Sequence, residues 1–249
     1  MKTLPDNYSP APQLMHDKVI LVTGAGDGIG RTAALSLARH GATLVLLGRT
    51  PAKLEQVYDR IEQEGGAKPA IYAMNLEGAN AKDYIDLADA LLGEFGRLDG
   101  LLHNAGILGE RTPIANYASD TWGRVMHVNV NAPFMMTQAL LPLLERAPLA
   151  SIVFTGSGVG YQGRAYWGAY AASKAAQENL MQTLADELDG TSLRANSVNP
   201  GATRTRMRAS AYPAENPEKL PRPEAHMPLY LYLLGDDSVG VNGEQFVTG

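Results

Sequence analysis

The chain has no cysteine among its 249 residues. Disulfides, thiolate metal sites and cysteine nucleophiles are therefore excluded. No apolar run approaches membrane-spanning length, and the opening MKTLPDNYSPAPQLMHD lacks the apolar core of a signal peptide. Charge is sparse, at 19% Asp, Glu, Lys and Arg, and its net value of −5 disfavours non-specific binding to nucleic acid or membrane surfaces. No cluster of His, Asp and Glu has metal-ligand spacing, so no metal is expected. Low-complexity linkers and internal repeats are also missing. What remains is 45% apolar, enough for one large α/β domain, with two small domains as the competing division. These observations predict a cytoplasmic protein with a flexible leader over residues 1–16 and one domain over 17–249. Its expected partner is a small molecule, not nucleic acid or a membrane.

From Lys18 onward, short apolar runs alternate with amphipathic stretches. KVILVT, TLVLLG, AIYAM, LDGLLHN, SIVFTG, LRANSVN and EQFVTG read as strands. Between them, helices are predicted around Arg31–Arg39, from Pro51 to paired glycines, over Lys82–Phe95, over Asp120–Arg146 and from Tyr170 to Leu188, with another in PLYLYLLG. Strands separated by helices imply parallel pairing through right-handed crossovers, hence a doubly wound sheet with helices on both faces. One long irregular stretch, about 203–227, follows the sixth strand. Ligands bind at the carboxyl ends of such strands, so this stretch is expected to form a lid.

TGAGDGIG follows the first strand and opens a helix, the context that gives a glycine motif its meaning. Gly24 allows the tight turn, Gly28 a close backbone approach to a pyrophosphate, and Gly30 helix–strand packing. Gly26, Asp27 and Ile29 complete the loop, and N–H groups at the helix start face the phosphates. The second strand ends in Gly48-Arg49-Thr50 with no acidic residue to hydrogen-bond the ribose of NAD. Arg49 offers a bidentate cation to a 2′-phosphate instead, so NADP(H) is expected in preference to NAD(H).

YAASK places Tyr170 and Lys174 four residues apart, on one helix face, with Ser157 upstream after the fifth strand. A neighbouring cation favours phenolate, so Lys174 is expected to lower the pKa of Tyr170. Phenol, cation, hydroxyl and dinucleotide together describe carbonyl–alcohol redox chemistry. Asn129 sits mid-helix, where Asn is a poor helix former, which suggests a backbone distortion or a polar role, with Asn131 as its rival. Arg204, Arg206, Arg208 and Arg222 make the expected lid basic. Solvated surface charge and recognition of an anion both remain open for them. Tyr161, Tyr166 and Trp167 could wall an apolar cleft or pack against a subunit.

The set TGAGDGIG, HNAG, Asn129, Ser157, YAASK and NPG resembles the short-chain dehydrogenase/reductase family from about Asp17 to the C-terminus. NPGATRTRMRASAYPAENPEKL and MPLYLYLLGDDS look like its bacterial YciK-type branch. The resemblance implies a single-domain Rossmann-type sheet of seven parallel strands, assembled as a homodimer or homotetramer. It also implies a catalytic tetrad of Asn129, Ser157, Tyr170 and Lys174. Tyr170 would exchange the proton, Ser157 would hold the carbonyl, Lys174 would bind the nicotinamide ribose, and Asn129 would hold a water on the proton path. Asn104, Ala105 and Gly106 would line the adenine-ribose side; Pro200, Gly201, Thr203 and Thr205 would run past the nicotinamide. Two departures stand out. Asn75, followed by Leu76, occupies a position where relatives commonly have Asp, and Ser157 lies between glycines that should leave its backbone less fixed. A non-catalytic NADP(H) sensor or assembly protein, and an epimerase or dehydratase on the same scaffold, are the alternatives.

Overall fold

Parallel strands can be joined only by a crossover, so the alternation of apolar runs and amphipathic stretches decides the architecture. In the computed structural model, which describes residues 1–248, seven strands form one sheet. They are β1 (Val19–Thr23), β2 (Thr43–Gly48), β3 (Ala70–Ala73), β4 (Gly100–His103), β5 (Ala150–Thr155), β6 (Leu193–Asn199) and β7 (Gln245–Val247). Their order is β3-β2-β1-β4-β5-β6-β7 and every pairing is parallel. The central strands are covered on both faces, which is why their sequences are continuous apolar runs. On β1, Ile20 and Val22 join one core while Leu21 joins the other, as the two-residue period of a strand requires.

The first core packs α1 (Gly28–Arg39), α2 (Pro51–Gln63) and α8 (Met227–Leu234) on one face through Leu37, Val57 and Tyr230. The second packs α3 (Ala81–Phe95), α5 (Ala132–Leu144) and α6 (Gly168–Glu187) on the other through Leu87, Leu140 and Met181. Local chemistry sets the helix ends. Asn80 and Asp83 form a reciprocal capping box on α3, and Gly96 ends that helix in the left-handed conformation. Among the described residues, no helix is long and apolar enough to cross a membrane.

Three expectations need correction. The long helix predicted over Asp120–Arg146 is α4 (Ser119–Met126) and α5 joined by a π-turn over His127–Asn131. The break contains Asn129, so the poor helix former marks a real distortion. Within the stretch expected to be irregular, Arg206–Ala211 forms a short helix, α7, capped by the Thr205 hydroxyl. The leader expected to be flexible is held in place. Lys2 makes a parallel bridge beside β7, Met15 is fully buried, and the Tyr8 hydroxyl donates to Asp237 at 2.8 Å.

Candidate active site

Between β1 and its neighbour β4 the sheet order turns back, and the loops leaving the carboxyl ends of the strands bound a cleft of about 700 Å³. The glycine loop forms one arm. Gly24 has a φ of +68°, and a Cβ there would stand 3.1 Å from the Ala105 Cα. Asp27 caps α1 by accepting from the Gly28 N–H at 2.8 Å. Partial burial alone would raise the Asp27 pKa. Lys53 at 2.5 Å, the Gly28 N–H and the more distant Arg206 overcome it and hold the carboxyl below its ordinary range. The carboxylate lines the cleft with Lys53 and Arg206 as its cationic partners.

Gly26, Ile29, Arg49, Asn75, Leu76, Gly106, Pro200, Gly201, Thr203 and Thr205 all line this cleft. Asn104 and Ala105 do so too, and they also tie the sheet together. Both of their N–H groups donate to the Thr23 hydroxyl, at 2.9 and 3.0 Å, and the Asn104 amide donates to the Thr23 carbonyl. Thr203 is buried, its hydroxyl bonded to the Pro200 carbonyl and the His226 ring. Arg49 is exposed and touches Glu77 through a single 3.3 Å contact, which leaves most of its guanidinium uncommitted.

At the other arm, Ser157, Tyr170 and Lys174 meet. Ser157 follows β5 and leads a tight 3₁₀ turn over Gly158–Gly160. A Cβ on Gly160 would stand 2.9 Å from the Lys174 backbone, so glycine is what lets the turn lie against α6. Lys174 is 4% exposed, and its ammonium donates to the Thr155 carbonyl at 2.7 Å and to Gln177 at 2.8 Å. Burial pushes the Lys174 pKa down to about 8, with the Glu178 carboxylate pulling the other way.

Tyr170 departs from expectation. Its ring centroid lies 5.9 Å from the Lys174 ammonium, which is committed elsewhere. Burial pushes the phenol up to about 12, and only the Ser157 hydroxyl acts to lower it. The lysine therefore does not acidify the phenol in this arrangement.

Asn129 is fully buried at the π-turn, and the rival Asn131 is exposed. The Asn129 Oδ1 accepts from the Ile107 N–H at 2.9 Å, while Nδ2 donates to the Ile107 carbonyl at 3.0 Å and the Ser173 hydroxyl at 2.9 Å. Its side chain thus ties the loop after β4 to α6. The point where a Gly106 Cβ would stand is 3.3 Å from the Asn129 Oδ1 and 3.9 Å from the Lys174 ammonium, so both groups border the same gap.

Of the expected lid residues, Arg206 and Arg208 line the cleft, but the basic character is largely cancelled. Arg204 pairs with Glu218, Arg208 with Glu215 and Arg206 with Asp27. Trp167 lines the cleft beside Tyr170, whereas Tyr166 is 53% exposed and Tyr161 donates to Glu178. Sequence reasoning missed Lys53 and Gln177. Gln177 stands three residues after Lys174 on α6, the spacing of side-chain neighbours, so the signal was present.

A family profile described as short chain dehydrogenase matches residues 18–216. The chain belongs to the short-chain dehydrogenase family. Among its relatives, the uncharacterized oxidoreductase YciK of Escherichia coli (strain K12) is 52% identical over 240 residues, covering 96% of this chain and 95% of that protein. The solved structure of a Pseudomonas syringae protein described as a short chain dehydrogenase superposes with a TM-score of 0.95 at 59% identity, covering 97% of this chain and 98% of that one. Another, from Shigella flexneri 2a str. 301 and complexed with NADP, gives 0.93 at 52% identity, covering 95% and 99%. The YciK-type resemblance is thereby confirmed, together with the seven-stranded fold, and the short-chain dehydrogenase fold places this cleft at the ends of β1, β4, β5 and β6.

Proposed function

We propose that the chain is an oxidoreductase that interconverts a carbonyl and a secondary alcohol by hydride transfer, using NADP(H) in preference to NAD(H). The observation that carries this reading is the convergence of Tyr170, Ser157 and Lys174 on one arm of a cleft whose other arm is a glycine loop at a helix N-terminus. The residues present suit a dinucleotide. Gly24, Gly28 and Gly30 keep side chains away from the start of α1, where a pyrophosphate would be held by N–H groups. Arg49 offers free donors for a 2′-phosphate, and the NADP complex of the Shigella relative supports the same choice. Bound there, the nicotinamide supplies or receives the hydride.

The chain's own residues do the rest. Ser157 orients the carbonyl oxygen by hydrogen bonding. Tyr170 donates its proton to that oxygen in reduction and, as the phenolate, takes it back in oxidation. Lys174, fixed by Thr155 and Gln177, is positioned to hold the nicotinamide ribose and complete the proton path. Asn129 sets the loop that borders it. Residues 203–227 cover the cleft as a lid and exclude water. Tyr170→Phe tests the reading. Consumption of NADPH with a panel of aldehydes and ketones should vanish while NADPH binding, followed by nucleotide fluorescence, persists. Turnover retained in that variant would refute it.

A further inference from the structure

Tyr170 packs with Val159, Trp167, Ala171 and Ala211, and Leu108 and Tyr212 close the cluster around it. The Trp167 ring centroid is 5.7 Å from that of Tyr170, and Trp167, Leu108, Met207 and Ala211 all face the cleft. Arg208, on the 203–227 stretch, lines the cleft beside this apolar cluster. Its guanidinium donates through both Nε and Nη2 to the Glu215 carboxylate, each at 2.6 Å, and lies over the Tyr212 ring at 4.0 Å. Arg111, nearby, does not line the cleft. It stacks on Trp167 at 4.9 Å and Tyr212 at 4.6 Å and donates to the Ala211 carbonyl. Of the other cations of the lining, Lys53 is engaged by Asp27 and Lys174 by Thr155 and Gln177, while Arg206 reaches the same Asp27 through a single 3.4 Å contact at the glycine loop.

Resting on the redox reading above, we propose that the substrate is a neutral, apolar ketone or aldehyde, and that Glu215 enforces this selection by neutralising Arg208. A carboxylate brought into this end would lose its hydration and find Arg208, the cation of the lining there, already held by Glu215, which is costly. An aryl or alicyclic ring meets the apolar surfaces of Trp167, Leu108 and Ala211. The contrast with Arg49 is instructive. There the acidic partner makes one 3.3 Å contact on an exposed side chain, whereas Glu215 grips Arg208 through two short bonds. The first cation remains open to an anion and the second does not. The reaction itself balances: hydride from NADPH to the carbonyl carbon, proton from Tyr170 to its oxygen, giving the alcohol and NADP⁺.

Two matched pairs test the assignment: acetophenone against phenylglyoxylate, and cyclohexanone against 4-oxocyclohexanecarboxylate, with NADPH consumption as the readout. The neutral member of each pair should give a kcat/KM at least about tenfold higher. Glu215→Gln, at a side chain 30% exposed, should narrow that gap by freeing Arg208. As a second measurement, 1-phenylethanol should perturb Trp167 fluorescence in a Trp122→Phe background at lower concentration than mandelate does. Equal or better turnover of the carboxylates by the unaltered chain would overturn the inference and leave the redox reading standing. An unchanged gap in Glu215→Gln would overturn the role given to Glu215. Consumption with neither member of either pair would count against the redox reading itself, and this inference would fall with it.

Discussion

Asn129→Ala separates a structural role for this residue from a purely chemical one. The substitution removes the acceptor of the Ile107 N–H and the donors to the Ile107 carbonyl and the Ser173 hydroxyl. The side chain is fully buried, and without it two backbone groups of Ile107 lose their partners. Each unsatisfied group costs about 1–3 kcal/mol, giving a loss of about 2–6 kcal/mol in all. In a chain of this size each kcal/mol lowers the midpoint by about 2–4 °C, so a fall on the order of 10 °C is expected. Thermal unfolding without nucleotide, followed by circular dichroism, measures it. Asn129→Asp should fall at least as far, because it keeps Oδ1 but loses both donors and buries a charge. Asn131→Ala, at an exposed position one step beyond, serves as the control and should melt as the unaltered chain does. An Asn129→Ala midpoint within about 2 °C of the original would refute the reasoning, and loss of turnover alone would then assign the residue to chemistry.

Lys174 makes a prediction about pH. Burial lowers its folded pKa to about 8 from the ordinary lysine value of 10.5, so between those values the unfolded chain binds more protons than the folded one. Stability should therefore rise with pH from about 8 to 10.5 relative to Lys174→Met, and urea titrations across that window should show the two curves diverging. Arg49→Ser should weaken NADPH binding by about 10- to 100-fold, the worth of a charge-assisted hydrogen bond, and leave NADH binding unchanged. Equal losses for both nucleotides in fluorescence titrations would remove Arg49 as the discriminator.

The centre of the sheet was legible because β1, β2, β4 and β5 are apolar runs bounded by turn residues, and burial on both faces leaves no alternation to confuse the reading. The glycine loop and YAASK were legible because their chemistry rests on local spacing. Asn129 announced a backbone distortion through its poor helix propensity, although neither the π-turn nor its Ile107 and Ser173 partners follow from sequence. Tyr170 shows where local reasoning stops. Spacing put the ammonium one helical turn away, but the direction of the pKa depends on burial and on Thr155, which lies across the sheet end and captures that ammonium. The lid arginines fail to read for the same reason. Glu215, Glu218 and Asp27 find them only once the chain has folded.

The docked N-terminal arm bears on how copies of this chain can meet. β7 is a three-residue strand at the margin of the sheet, and its outward Gln245 carbonyl and Val247 N–H are both taken by Lys2, at 2.7 and 2.9 Å. A neighbour arriving there finds no open ladder to extend, and the Lys2–Glu244 ion pair guards the same rim. Self-assembly by continuing the sheet across that border is closed off unless the arm first lets go.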